Sequence, residues 1–314
     1  MKKFITRNYK HYNARTLKNS ADSWINHVNN NGKVLLAMGG AMSTAEIGIS
    51  LAKAIREDKV HAISTTGANL EEDIFNLLAG DTYQQIDKWD ELTVEDETHL
   101  ENRVLDVCIP ESVMRETEEM ILPLWQKASD NLNSYFPHEY FFQLLDTPRF
   151  KDIDLKDSWV AAAKEKKIPV YVAGWEDSTI GNMLVSNLYK KTIPNFNMIK
   201  SGLEYMQDLV DWYYYTSLDY YMGFFQIGGG ISGDFPVCVV PLINCELAEH
   251  FNKVVPFWKY YCQISDGHTS FGSYSQADCN EKISWGKLGK DSKMYSINSD
   301  ATIVFPLIVE YITE

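Results

Sequence analysis

Glu281, Lys282, Ile283, Ser284, Trp285, Gly286 and Lys287 crowd a glutamate, a tryptophan and a lysine into one short stretch near the carboxyl end of the chain, with Asp300 and Ala301 following. These residue types suit a site that recruits an organic cation and then attacks it. Trp285 can lay its π face over an alkylammonium, and Glu281 can hold one by a charge-assisted hydrogen bond. Lys287 becomes a nucleophile if burial or a cationic neighbour lowers its pKa. The same residues also fit a plainer reading, an aromatic ring packed on the stem of a surface lysine. On residue chemistry alone both readings stand.

A chain of 314 residues can bury a large core and is long enough for an enzyme. Its 29 basic and 43 acidic residues give a net charge of −14, which repels nucleic acid and anionic membrane and permits a cationic substrate. Cys108, Cys238, Cys245, Cys262 and Cys279 include no CxxC pair, so they read as scattered thiols of a reducing compartment with neither a metal site nor a disulfide frame. The positive N-terminus has no apolar run after it and no segment is long and apolar enough to span a bilayer, so a cytoplasmic location is expected. HExxH, P-loop and GxSxG motifs do not occur, which removes the usual entry to metalloprotease, Walker-type NTPase and α/β-hydrolase readings.

The elements that must position the cluster follow from the pattern of apolar runs. Residues 1–17 lack clear periodicity and read as an N-terminal arm, docked on a neighbouring subunit or disordered, ahead of one domain over 18–314. From Asn19 a helical pattern runs to Gly32, and Lys33 to Met38 is a buried strand. Gly39 and Gly40 then turn the chain, and an N-cap at Ser43 or Thr44 would open a helix to Glu57, an arrangement that can hold a phosphate. Val60 to Ser64 is a second strand and Leu70 to Leu78 a helix, whose acids Glu71, Glu72 and Asp73 would complement the helix dipole. Residues 80–110 read as irregular, and 111–129 as an amphipathic helix. Further strands are expected at 168–173, at 222–227 before the run Gly228, Gly229, Gly230, at 257–264 and at 293–297. His268 falls on the loop after the fifth strand and reads as solvated. Strands alternating with helices predict an α/β fold, a Rossmann-like, doubly wound, mainly parallel sheet with helices on both faces, whose ligands lie at the carboxyl ends of the strands.

Several runs support a family resemblance. TTGANLEED (Thr65 to Asp73), Gly228 to Gly230, the loop Gly272 to Ser275, EKISWGK (Glu281 to Lys287) and SDATIVFPLIVE (Ser299 to Glu310) together resemble the deoxyhypusine synthase family. HYNA (His11 to Ala14) and the run from Gly39 to Ser64 are similar to its bacterial, deoxyhypusine synthase-like branch. The resemblance implies an NAD-dependent transfer of an aminobutyl unit from spermidine, through an imine on Lys287, to an amine acceptor. It places Trp285, Glu281 and Glu72 at the polyamine. It places Thr66, Gly67, Asp177, Gly229, Gly272, Ser273, Asp300 and Ala301 along the NAD site, together with the turn at Ser43 and Thr44. It also implies a homotetramer with active sites between subunits, where the N-terminal arm could cap a neighbour's site.

The departures from the family pattern bear on substrate choice. Where protein-modifying members carry Lys-His after the three glycines, this chain has Gly233 and Asp234, and the family's polyamine-binding aspartates are matched by Asn182 and Tyr274. Two acids are lost and one gained. The expected acceptor is therefore a small diamine such as putrescine, giving homospermidine. The rivals are a protein-modifying deoxyhypusine synthase acting on a translation-factor lysine, a non-catalytic NAD- or polyamine-binding protein, and an NAD-consuming deacylase, for which neither His250 nor His268 has a suggestive context.

Overall fold

The computed structural model describes residues 1–267 and 277–314. Two helices, α1 (Lys2–Asn8) and α2 (Tyr12–Asn29), precede β1 (Gly32–Met38), α3 (Ile47–Arg56), β2 (Ala62–Thr65) and α4 (Gly67–Ala79). After an excursion come α5 (Glu111–Asp130), α6 (Pro137–Leu144), α7 (Trp159–Lys166), β3 (Val170–Val172), α8 (Thr179–Tyr189) and α9 (Gly202–Thr216). The second half adds β4 (Tyr221–Ile227), α10 (Ile231–Val237), β5 (Trp258–Ser265), α11 (Glu281–Ser284), β6 (Leu288–Asn298) and α12 (Ala301–Thr313).

The six strands form one parallel sheet in the order β3-β2-β1-β4-β5-β6. This is the doubly wound order, whose direction of winding reverses between β1 and β4. Burial of both faces explains why β1 reads as a continuous apolar run, with Val34 to Met38 fully buried. Consecutive residues of a strand point to opposite faces. In β4, Phe225 meets Trp24 of α2 and Phe305 of α12 at ring separations of 4.4 and 6.0 Å. Its neighbour Phe224 meets Trp258 at 5.2 Å, and Trp258 in turn meets Tyr213 of α9 at 4.7 Å. Helices therefore cover both faces, as the sequence predicts.

Four local expectations change. Residues 4–17 are largely helical: Ile5 of α1 and Leu17 of α2 are buried in the core, and α2 runs across residue 17. Its stripe of Leu17, Ala21 and Trp24 has helical spacing, but the first member stands among polar residues that mask the pattern. Ser43 and Thr44 do not cap α3, which begins at Ile47 after Glu46 in a left-handed conformation. The backbone amides of Ser43 and Thr44 are taken instead by the Asn69 and Glu72 side chains, at 2.8 and 3.2 Å. The excursion at 80–110 contains a three-stranded antiparallel ribbon of residues 84–85, 103–104 and 107–108.

The fourth change concerns Glu71, Glu72 and Asp73, which lie past the first turn of α4 and are buried. Each holds a different part of the chain. Glu71 accepts from the Thr179 and Ile180 amides at the start of α8, at 2.9 and 2.8 Å. Glu72 accepts from Thr44 in the turn after β1. Asp73 accepts from the Ser158 hydroxyl and from the Trp159 and Val160 amides, both at 3.2 Å, at the start of α7. Burial pushes all three carboxyls up to about 7, although these donors pull the other way. None of the described helices is long and apolar enough to cross a membrane.

Candidate functional site

The reversal point of the sheet is built by two glycine turns in contact. The Gly39 amide donates to Ile227 O at 2.9 Å, and a Cβ on Gly39 would lie 2.5 Å from Gly229 O, so no side chain fits between them. Gly40 and Gly230 have φ of +61° and +82°, and no atom of the described residues stands within 4 Å of where their side chains would be. Backbone thus faces an open crevice at the carboxyl ends of β1 and β4. Thr66 Oγ1 donates to Gly40 O at 2.8 Å and caps α4 by accepting from Asn69 N at 3.1 Å. Gly67 packs against the backbone of Trp175, in the loop after β3. Asp300 caps α12 by accepting from Thr302 N at 2.7 Å, and Ala301 behind it is buried.

Thr66, Gly67, Asp177, Gly229, Asp300 and Ala301 all follow the carboxyl ends of strands, so the topology gathers them on one edge of the sheet. Ser43 and Thr44 join that edge through α4. Ser43 is enclosed, its hydroxyl donating to Asn69 O and accepting from Trp159 Nε1. Asp177, just before the N-cap Ser178 of α8, and Asn182, in the first turn of that helix, are exposed. The Ser64 and Thr65 hydroxyls of β2 are buried without a partner among the described residues. Open backbone and small residues at the reversal of a doubly wound sheet fit a dinucleotide.

Lys287 is tied to this edge by Asp234, which lies in α10 directly after the three glycines. Lys287 Nζ donates to Asp234 Oδ1 at 3.0 Å, and the lysine side chain is 13% exposed. The same Nζ stands 5.7 Å from the Trp285 ring, which is 69% exposed. Cys238 lies one helical turn beyond Asp234, its Sγ 3.9 Å from Asp234 Oδ1. Burial alone would pull the Lys287 ammonium down, but the hydrogen bond to Asp234 and the nearby charge outweigh it, so its pKa is raised. The lowered pKa that suits a nucleophile is therefore not that of the resting site. Glu281, at the start of α11, is exposed.

Two functional candidates escape the sequence reading. Cys238 gave no signal beyond its residue type, and burial pushes its thiol up. Lys282 turns inward and is buried while its neighbours on α11 face out. Gly272, Ser273, Tyr274 and His268 lie outside the described residues. Among the described residues no cluster of His, Cys, Asp or Glu could hold a metal ion.

The sequence profile of deoxyhypusine synthase matches residues 5–312. The chain belongs to the deoxyhypusine synthase family. Among curated members, "Probable deoxyhypusine synthase 1" of Methanosarcina acetivorans is 26% identical over 275 residues, covering 87% of this chain and 77% of the relative. A deoxyhypusine synthase-like protein of a Cyanothece species is 25% identical over 289 residues, covering 88% and 70%. The fold agrees: a protein of Entamoeba histolytica proposed to be a deoxyhypusine synthase superposes with a TM-score of 0.58 at 14% identity, covering 96% of this chain and 88% of that one.

Proposed function

We propose that this member of the deoxyhypusine synthase family is an NAD-dependent aminobutyltransferase that takes its four-carbon unit from spermidine and carries it on Lys287. The observation that carries the reading is the Lys287 ammonium, 3.0 Å from Asp234 and 5.7 Å from the Trp285 ring, joined through α10 to an open glycine crevice. Bound in that crevice, NAD would supply the acceptor, and later the donor, of a hydride. Thr66, Gly67, Gly229, Asp300 and Ala301 would line it, with Gly272 and Ser273 contributed by the loop after β5.

The chain's own residues account for the rest. Trp285 receives an alkylammonium on its face, and Glu281 and Asp234 supply carboxylates for the other charges of a polyamine. Lys287 then attacks the oxidised carbon beside the secondary amine. A C=N bond to Nζ forms, the old C–N bond breaks, and the diamine portion leaves with the proton that Nζ gives up. An incoming amine displaces Nζ by the same exchange in reverse.

The acceptor we favour is putrescine, giving homospermidine. Asp234 stands where protein-modifying relatives carry histidine, and a carboxylate there suits the free ammonium of a small diamine better than a protein surface. Five free thiols fit a reducing, cytoplasmic setting, and exposed Ile231, Trp285 and Ile303 beside the crevice fit a homotetramer with sites between subunits. Incubation of the purified protein with NAD, spermidine and putrescine, followed by mass spectrometry of the amines, tests the reading. Homospermidine is expected, and no new amine at any pH would sink it.

A further inference from the structure

Gln226, the last residue but one of β4, is a buried polar side chain that the chemistry above does not use. Its Nε2 donates to Gly228 O at 2.9 Å, just where the glycine run begins. Its Oε1 lies 3.4 Å from the Tyr261 hydroxyl, whose proton it shares with Gln263 Oε1 at 2.9 Å. The amide is therefore pinned and cannot swing away without giving up the Gly228 carbonyl. Gly233 packs against it: a Cβ on Gly233 would lie 2.6 Å from Gln226 Cδ and Oε1 and 3.0 Å from Nε2. Gly233, Pro236 and Val237 form the buried side of α10. The helix is held at both ends, where the Gly233 and Asp234 amides donate to Gly230 O at 3.1 Å and Trp258 Nε1 donates to Val237 O at 3.2 Å.

We propose that Gln226 is a positioning residue for the reaction: its pinned amide sets how closely Gly233 lets α10 rest on the sheet, and that seat places the Asp234 carboxylate on Lys287. Its part in the reaction rests on the transferase reading, whereas the seat itself does not. Carbon atoms in ordinary contact stand about 3.5 Å apart or more. With Gln226 fixed, any side chain at 233 must therefore lift the helix by about 1 Å. Asp234 is the next residue, and its 3.0 Å contact with Lys287 has no slack for such a lift. A misplacement of that size at a reacting group is enough to cost most of its effect. Gly233 and Asp234 are thus linked departures, since the glycine is what lets the carboxylate reach the lysine.

The other groups around Lys287 do not follow the seat of α10, with one neutral exception. Lys282 and Glu281 belong to α11, and the Lys287 amide donates to Lys282 O at 3.0 Å, so they keep their places when α10 moves. Glu281 is also exposed and screened by water. Cys238 follows α10 and moves with Asp234, but burial raises its thiol and keeps it uncharged at neutral pH. A change in the titration of Lys287 therefore reports whether Asp234 still meets it.

The test labels Lys287 in the full chain with butanal. Neutral Nζ adds to the carbonyl, water leaves, and cyanoborohydride reduces the imine to a stable amine that peptide mass spectrometry counts. In Gly233→Ala the pH midpoint of Lys287 labelling should fall by about one pH unit, which is about tenfold more labelling below the midpoint. Alanine for glycine within a helix is ordinarily favourable, so helix propensity alone predicts no such loss. Gln226→Ala combined with Gly233→Ala gives the new Cβ the space that the amide leaves, and should restore the wild-type midpoint. A single variant that fails to fold but is rescued by the second substitution, with wild-type labelling, supports the proposal equally. It is overturned if Gly233→Ala labels as wild type does, if the double variant is no nearer wild type than the single one, or if wild-type Lys287 takes no label at any pH. The probe needs neither NAD nor spermidine. A wild type that labels as expected but makes no amine product therefore ends the transferase reading and leaves the seat of α10 standing.

Discussion

Lys287 must answer two opposed demands, because the carboxylate that holds it also keeps it protonated. Asp234 raises the Lys287 pKa, so removing that charge lowers it and enlarges the neutral fraction at any given pH. Asp234→Asn should therefore raise aldehyde trapping on Lys287 near pH 7, by about tenfold for every pH unit that the ammonium's pKa falls, while the KM for spermidine rises. A peptide-mapped labelling assay and steady-state kinetics would read the two effects. Lys287→Ala should show no borohydride-trapped adduct with NAD and spermidine on intact-protein mass spectrometry. At this scale the sequence was partly legible. Trp285 and Lys287, separated by one glycine, announce their proximity. Asp234 as the partner of Lys287 does not, because the two are 53 residues apart. The inward turn of Lys282 was equally hidden, since it depends on Gln263 and Tyr261 beneath it.

Among the elements, α4 organises the crevice. Successive helical residues are about 100° apart, so Glu71, Glu72 and Asp73 cannot share one face and instead reach three separate segments. Asp73→Ala would leave the Trp159 and Val160 amides at the start of α7 unpaired inside the protein, although Ser158 still caps that helix, and should cost about 2–3 kcal/mol by denaturant titration. Glu72 tests the electrostatics. Its carboxyl is raised from an unfolded value near 4.5 to about 7, so the folded state binds the extra proton between these values and wild-type stability falls as pH rises through that window. Glu72→Gln lacks this loss. Its midpoint relative to wild type should climb from about pH 4.5 to about pH 7 and level off above, with the histidine contributions cancelling in the difference. The three acids were visible in the sequence, but a dipole argument assumes exposure, and their burial follows only from where α7 and α8 return.

For the whole molecule, the mainly parallel sheet with helices on both faces was legible because strands alternating with helices imply parallel crossovers. The beginning of the chain was not, since the two helices that carry buried Ile5 and Leu17 pack on the last helix, at the far end of the sequence. If the exposed rim beside the crevice is a subunit contact, light scattering should give a mass several times 36.0 kDa, and Ile303→Arg should lower it without changing the circular dichroism. The three acids of α4 carry one more consequence, for the time course of folding. Glu72 closes a loop of 28 positions to Thr44, whereas Asp73 closes 86 to Trp159 and Glu71 closes 108 to Thr179. The entropy of closure grows with loop length, so the short contact belongs to an early nucleus and the long ones to late docking. Alanine at Glu72 should then slow refolding, while alanine at Glu71 or Asp73 should leave refolding nearly unchanged and hasten unfolding. These two carboxylates govern how long the native state survives more than how quickly it is reached.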